Sequence, residues 1–179
     1  MGVKLLGVSG ALRAASTNTA LIRAAGEVAG DDVDFRIADL DMPLYNGDVE
    51  DQGYPEKVEA WVADIRWADA IIMSTPEYNK NLSGVLKNAL DWQSRYSPGP
   101  LSGKPVAIIS ATAGIAGGQL AQFSLRHCLT PFGCDVIQQP QVHVGGNFDD
   151  AVFKDGAYVN EKGRQKLAEL VAALKAMVA

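Results

Sequence analysis

The sequence predicts an α/β fold of three layers, a parallel five-stranded sheet in the order 2-1-3-4-5 with helices on both faces. Three observations predict it. The runs Val3–Val8, Ala70–Thr75 and Pro105–Ser110 are apolar without alternation, as strands covered on both faces are. Each is followed by a stretch whose apolar residues recur at helical spacing. Between each strand and its helix lies a loop of small or polar residues, the place where such sheets bind ligands.

The elements follow in order. Val3–Val8 is the first strand, and the polar loop Ser9–Asn18 leads to a helix whose buried face is Leu21, Ile22, Ala25, Val28 and Ala29. Ser16, Thr17 or Asn18 caps that helix. Asp34–Ala38 forms a short second strand, and Pro43, Asn46, Gly47 and Gly53 mark Asp41–Gly53 as a long loop. Pro55 opens a helix with Val58, Trp61, Val62 and Ile65 on one face; Trp61 and Trp67 read as packing residues. Ala70–Thr75 is the third strand and ends at Pro76-Glu77-Tyr78-Asn79. Leu82, Val85, Leu86 and Ala89 mark a helix running to about Trp92, and a loop over Ser97–Lys104 precedes the fourth strand, Pro105–Ser110. The small-residue loop Ala111–Gly118 then opens a helix from Gln119 to Thr130, stopped by Pro131 and Gly133. Cys134–Ile137 is a short fifth strand, with Val142–Val144 as its candidate extension. After a turn-rich segment, Gly145–Gly156, the last helix carries Leu167, Leu170, Val171, Leu174 and Val178 as one stripe. With no repeat, low-complexity tract or linker, residues 1–179 read as one domain.

Composition narrows the function. With 179 residues, 47% of them hydrophobic, the chain can bury a full core. A formal charge of -5 and the lack of a polybasic run argue against nucleic acid or an anionic membrane as partner. No apolar run is long enough to span a bilayer, and the N-terminal residues lack a signal-peptide layout. Met1-Gly2 is followed by Leu6 where myristoylation needs Ser or Thr. Cys128 and Cys134, with His127 and His143, make no zinc pattern, so reduced thiols in a cytoplasmic protein and no metal are expected.

In the expected strand order, the loops after strands one, three and four meet at one edge of the sheet. Ser9–Asn18 reads as a phosphate cradle: a helix N-terminus offers free N–H groups and a favourable dipole, and Arg13 adds a planar fork of donors. An ordinary loop before a capped helix is the alternative for this stretch taken alone. The dinucleotide fingerprint Gly-x-Gly-x-x-Gly is absent, and so is a P-loop with its lysine. Pro76-Glu77-Tyr78-Asn79 supplies a stiff wall with an aromatic surface, and the glycines of Ala111–Gly118 admit close backbone approach to a ring edge. A flat heteroaromatic mononucleotide such as a flavin suits these parts.

Three motifs also carry a family resemblance. Gly10-Ala11-Leu12-Arg13 with Ser16 and Asn18, Pro-Glu-Tyr-Asn at 76–79, and Leu86-Lys87-Asn88-Ala89-Leu90-Asp91-Trp92 resemble the NAD(P)H-dependent FMN reductases, more closely the branch of quinone, chromate and azo-compound reductases. The resemblance spans most of the chain and includes the spacing between motifs. It implies a flavodoxin-like sandwich, FMN as cofactor, NAD(P)H as co-substrate, small-molecule electron acceptors, and a homodimer or homotetramer. It assigns Arg13, Ser16, Thr17 and Asn18 to the FMN phosphate, and Pro76, Glu77, Tyr78 and Asn79 to the flank of the isoalloxazine. The loop after strand four, with Ser110, Thr112, Ala113 and Gly114, is assigned to the pyrimidine side of the ring. Ala11 departs from the family, which commonly has Ser there; Thr17, Ser9 or a backbone N–H are the candidates to replace that contact.

Glu77 is expected to serve through its backbone, since an ionised carboxylate only accepts hydrogen bonds and sits poorly against a reduced flavin. Arg95, just past the Trp92 helix, is a candidate catalytic residue at the mouth of the site, with a solvated charge as the plainer reading. Lys87, Asn88 and Asp91 are expected to order their helix or its partner contacts, and His127 and His143 to be structural. The expected activity is transfer of two electrons from NAD(P)H through FMN to a quinone or similar acceptor, in a ping-pong cycle. A flavodoxin-type electron carrier and a non-catalytic flavin sensor are the rival readings.

Overall fold

The computed structural model describes residues 2–178. Its first strand, β1 (Val3–Ser9), pairs in parallel with β2 (Val33–Ile37) on one side and β3 (Ala70–Ser74) on the other. β3 in turn pairs with β4 (Pro105–Ala111), and β4 with β5 (Asp135–Val136), giving the order β2-β1-β3-β4-β5. The expected topology is therefore the observed one. β3 and β4 are buried along their whole length, which explains their unbroken apolar character, whereas the edge strand β2 is partly exposed.

Helices cover both faces. α1 (Thr17–Ala29) packs with the last helix on one face, where Leu21, Ile22 and Ala25 meet Leu167, Leu170 and Leu174. On that face Gly7 lets α1 and Phe35 approach the sheet: a Cβ there would lie 2.6 Å from Ile22 Cγ2 and 2.8 Å from the Phe35 ring. The other face carries α3 (Glu56–Trp67), α4 (Gly84–Gln93) and α5 (Gln119–Leu129), with Trp61, Ile65, Leu86, Leu90 and Leu125 in its core. Trp61 is buried and donates through Nε1 to the Ala89 carbonyl, so it links α3 to α4.

Three details differ from the sequence reading. A one-turn helix, α2 (Gly47–Glu50), lies inside the Asp41–Gly53 loop, with the Asn46 side chain accepting from the Asp48 N–H. The fifth strand is not continuous: β5 pairs with the start of β4, while β6 (Val142–Val144) pairs with its end, from Ile109 to Ala111. The break spans Pro140, which has no N–H to give a ladder. Within the turn-rich segment, β7 (Phe153–Lys154) and β8 (Ala157–Tyr158) form a hairpin turned by Asp155 and Gly156, both at positive φ. It buries Phe153 and Tyr158 against α1 and α6 (Glu161–Ala176). Among the described residues, no helix is long and apolar enough to cross a membrane.

Candidate active site

The carboxyl ends of β3 and β4 are tied to the start of α1 by one side chain. Asn18, buried in the first turn of α1, donates through Nδ2 to the Ala111 carbonyl at 2.9 Å. Its Oδ1 accepts from Ser74 Oγ at 2.8 Å and from the Ala111 N–H at 3.0 Å. The Gly10 N–H adds a bond to the Ser74 carbonyl, 2.8 Å. These bonds bring the three expected loops to one crevice of about 480 Å³. Asn18 thus positions the site, with one Nδ2 proton and its Oδ1 committed to β3 and β4.

The loop before α1 forms one end of the crevice. Ser16 caps the helix, its Oγ accepting from the N–H groups of Asn18 and Thr19 at 3.2 and 3.3 Å. Among the described residues, the N–H groups of Ala11 through Ala15 and of Thr17 reach no protein acceptor. Arg13 is exposed and forms no ion pair there. Uncommitted amides, a helix N-terminus and a free guanidinium are the donor set a phosphate needs. Ser9, another candidate to replace the missing Ser at position 11, does not line this crevice, and its hydroxyl bonds Thr19 Oγ1 at 2.8 Å. Thr17 does line the crevice.

The second wall is the segment after β3. Pro76 is buried, and Glu77 turns its carboxylate away toward α5, where Oε2 accepts from the N–H groups of Leu120 and Ala121, each at 3.1 Å. Gly118, at the start of α5, has no side chain to cap it, so Glu77 supplies the cap from another loop. Tyr78 is held by a tight turn: Asn79 and Lys80 adopt positive φ, and Tyr78 and Asn81 exchange backbone bonds of 3.2 and 3.1 Å. Its ring stays 58% exposed beside the crevice, while Asn79 sits at the turn's tip and does not line it.

Ala111, Thr112 and Ala113 form the third wall. Ser110, assigned to the ring edge, instead faces the core: its hydroxyl donates to the Gly117 carbonyl and accepts from Gln122 Nε2. Gly114 lies outside the lining, accepting from Thr112 Oγ1 at 3.2 Å. Two residues that sequence reasoning missed complete the crevice, Asn147 and Phe148 from the loop after β6. A sixth pairing segment on β4 would have carried that loop to the same sheet edge, but the split of the fifth strand concealed it.

Arg95 does not reach this crevice within the chain. Its Nε donates to both Glu50 carboxylate oxygens, 3.1 and 3.0 Å, and its guanidinium lies 5.7 Å from the Tyr45 ring centre. The Tyr45 hydroxyl, first, and Arg95 hold the Glu50 carboxyl below its ordinary value. His143 on β6 is half-buried, and burial draws its imidazole below the ordinary value. No cluster of three His, Cys, Asp or Glu side chains among the described residues could hold a metal.

A doubly wound parallel sheet in the order 2-1-3-4-5, with a crevice at its carboxyl edge, defines a class, the α/β proteins with flavodoxin-like topology. Residues 3–149 match the NADPH-dependent FMN reductase family, and the chain belongs to that family of flavin-dependent oxidoreductases. It is 38% identical over 177 residues to an NAD(P)H-dependent FMN reductase of Pseudomonas aeruginosa, covering 98% of this chain and 95% of that one. It is 37% identical over 166 residues to a quinone reductase of Pseudomonas putida, covering 92% and 88%. Among solved structures, FerB, an NAD(P)H:(acceptor) flavoenzyme oxidoreductase from Paracoccus denitrificans, superposes with a TM-score of 0.88 at 30% identity, covering 98% of this chain and 97% of that one.

Proposed function

We propose that this chain, as one domain over residues 1–179, uses FMN to pass two electrons from NAD(P)H to quinones and similar small acceptors. The observation that carries the reading is the set of uncommitted donors from Ala11 to Ala15, with Thr17 and Arg13, at the end of a crevice walled by Tyr78 and Ala111–Ala113. Those donors suit a phosphate dianion, and the walls suit a planar ring. The names of the relatives, FMN reductase and quinone reductase, support the same substrate classes. FMN supplies the two-electron chemistry when bound.

The residues of the chain do the rest. Arg13 and the cradle amides neutralise the phosphate and fix the ring's register in the crevice. Tyr78, exposed and pinned by its turn, presents a rigid aromatic surface beside the position where substrate would stack. Among the described residues, the N–H of Ala113 also reaches no protein acceptor, and a donor there would stabilise negative charge at the edge of a bound ring. Glu77, its carboxylate spent on α5, leaves that charge unopposed.

One open face serves both NAD(P)H and acceptor, which implies a ping-pong cycle. Chromate and azo compounds belong to the same acceptor class as quinones, small oxidants that need contact with the ring alone. A homodimer or homotetramer built near the end of α4 would place Arg95 and the exposed Tyr45 of one copy beside another copy's crevice. The cytoplasm, where NAD(P)H is available and Cys128 and Cys134 stay free, is the expected compartment. Steady-state rates with FMN, NAD(P)H and a quinone varied together should give parallel double-reciprocal lines. FMN firmly bound with no NAD(P)H oxidation would replace the enzyme with an electron carrier.

A further inference from the structure

The geometry points to Asn147 as a positioning residue that sets the Thr17 hydroxyl as a donor to the FMN phosphate. This inference rests on the FMN reading above. Thr17 is the first residue of α1 and lines the crevice with Arg13, and its hydroxyl accepts a bond from a neighbouring wall. Asn147 Nδ2 donates to Thr17 Oγ1 at 2.9 Å. A hydroxyl has one proton to give and two lone pairs to accept with. With one lone pair taken by an amide N–H, the proton is left to point into the crevice, toward an acceptor. Thr17 thereby fills the role of the hydroxyl that Ala11 lacks, whereas Ser9 lies outside the lining of this crevice.

Two further facts separate this from ordinary packing. The Asn147 N–H donates to the Thr112 carbonyl at 3.2 Å, so the residue bridges the cradle and the third wall and holds its amide in register with both. Its own Oδ1 is buried without a hydrogen-bond partner. Folded proteins pair nearly all such atoms, and one left unpaired costs stability. Replacing Asn147 with an apolar residue removes that unpaired oxygen along with the bond to Thr17.

The test measures binding of FMN and of riboflavin, which lacks the phosphate, to flavin-free protein by fluorescence quenching. Thr17→Val should weaken FMN about 10- to 150-fold, the value of one hydrogen bond to a charged group. Asn147→Ala should weaken FMN in the same direction and more than riboflavin, leave the melting temperature of the flavin-free protein unchanged, and add nothing in the Thr17→Val background. Asn147→Asp should be worse than Asn147→Ala, because its carboxylate takes the Thr17 proton inward and brings a negative charge near the phosphate. Equal losses for both flavins, additive effects of the two substitutions, or Asn147→Asp binding FMN as well as the unaltered protein would each overturn the inference. Failure of the unaltered protein to bind FMN would instead overturn the functional reading beneath it.

Discussion

Arg13 and Asn18 lie five positions apart on the same loop and helix start, yet opposite physical duties fall to them. Arg13 is exposed and unpaired among the described residues, so its removal costs the fold little. Arg13→Ala should weaken FMN roughly 10- to 150-fold and leave the melting temperature of the flavin-free protein in place. Asn18→Ala should do the reverse first. It strips partners from the buried N–H and carbonyl of Ala111 and from Ser74, at about 1–3 kcal/mol for each buried group left unpaired. Each kcal/mol lowers the melting point of a chain this size by about 2–4 °C. Calorimetry beside flavin titration separates the two; an Asn18→Ala protein as stable as its parent would contradict the clamp. The sequence motif containing Asn18 marked the right place, but its clamp on the sheet was not legible there. Its partners lie in β3 and β4, 56 and 93 residues away, and no local pattern records a contact of that range.

At the scale of elements, α5 starts at Gly118 with no side chain to cap it, and Glu77 fills the gap from the β3 loop. Glu77→Ala leaves two helix-terminal N–H groups without that acceptor and removes a negative charge from the positive end of the helix dipole. A loss of about 0.5–2 kcal/mol is expected, read as a lower midpoint in urea unfolding with an unchanged slope. Glu77→Gln, which keeps an oxygen at the same place, should recover part of it. Equal stability of the Ala variant and the parent would show that the cap carries nothing. The strands β1, β3 and β4 were legible as unbroken apolar runs, and the long helices by the helical spacing of their apolar residues. β5 and β6 were not separable, since each is too short for periodicity and only their different registers on β4 distinguish them. The Asp155-Gly156 turn was legible in principle: Asp-Gly between two short pairing segments is a hairpin signal. Reading it would have drawn attention to the segment that carries Asn147 and Phe148.

For the whole molecule, the end of α4 holds down a surface loop. Asn88 accepts from the Tyr45 N–H at 2.8 Å and donates to the Pro43 carbonyl at 2.9 Å, and Trp92 Nε1 donates to that same carbonyl at 2.8 Å. The motif around Lys87–Trp92 therefore orders its surroundings, as its sequence suggested, and it does so by presenting Leu44, 79% exposed, and Tyr45 to the outside. A twofold dimer through this region buries both residues. Sedimentation at micromolar concentration should show a dimer or tetramer, and charged substitution at Leu44 should shift it toward monomer; a fully active monomer would contradict that assembly.

The central claim is that FMN in this crevice takes two electrons from NAD(P)H and passes them to a quinone. Anaerobic absorption spectra of the FMN-loaded protein test it most directly. One equivalent of NAD(P)H should bleach the visible flavin bands completely, and one equivalent of quinone, added after the nicotinamide product is removed, should restore them in full. Bound FMN that keeps its bands on addition of NAD(P)H, or a bleached protein that a quinone does not restore, would contradict the account.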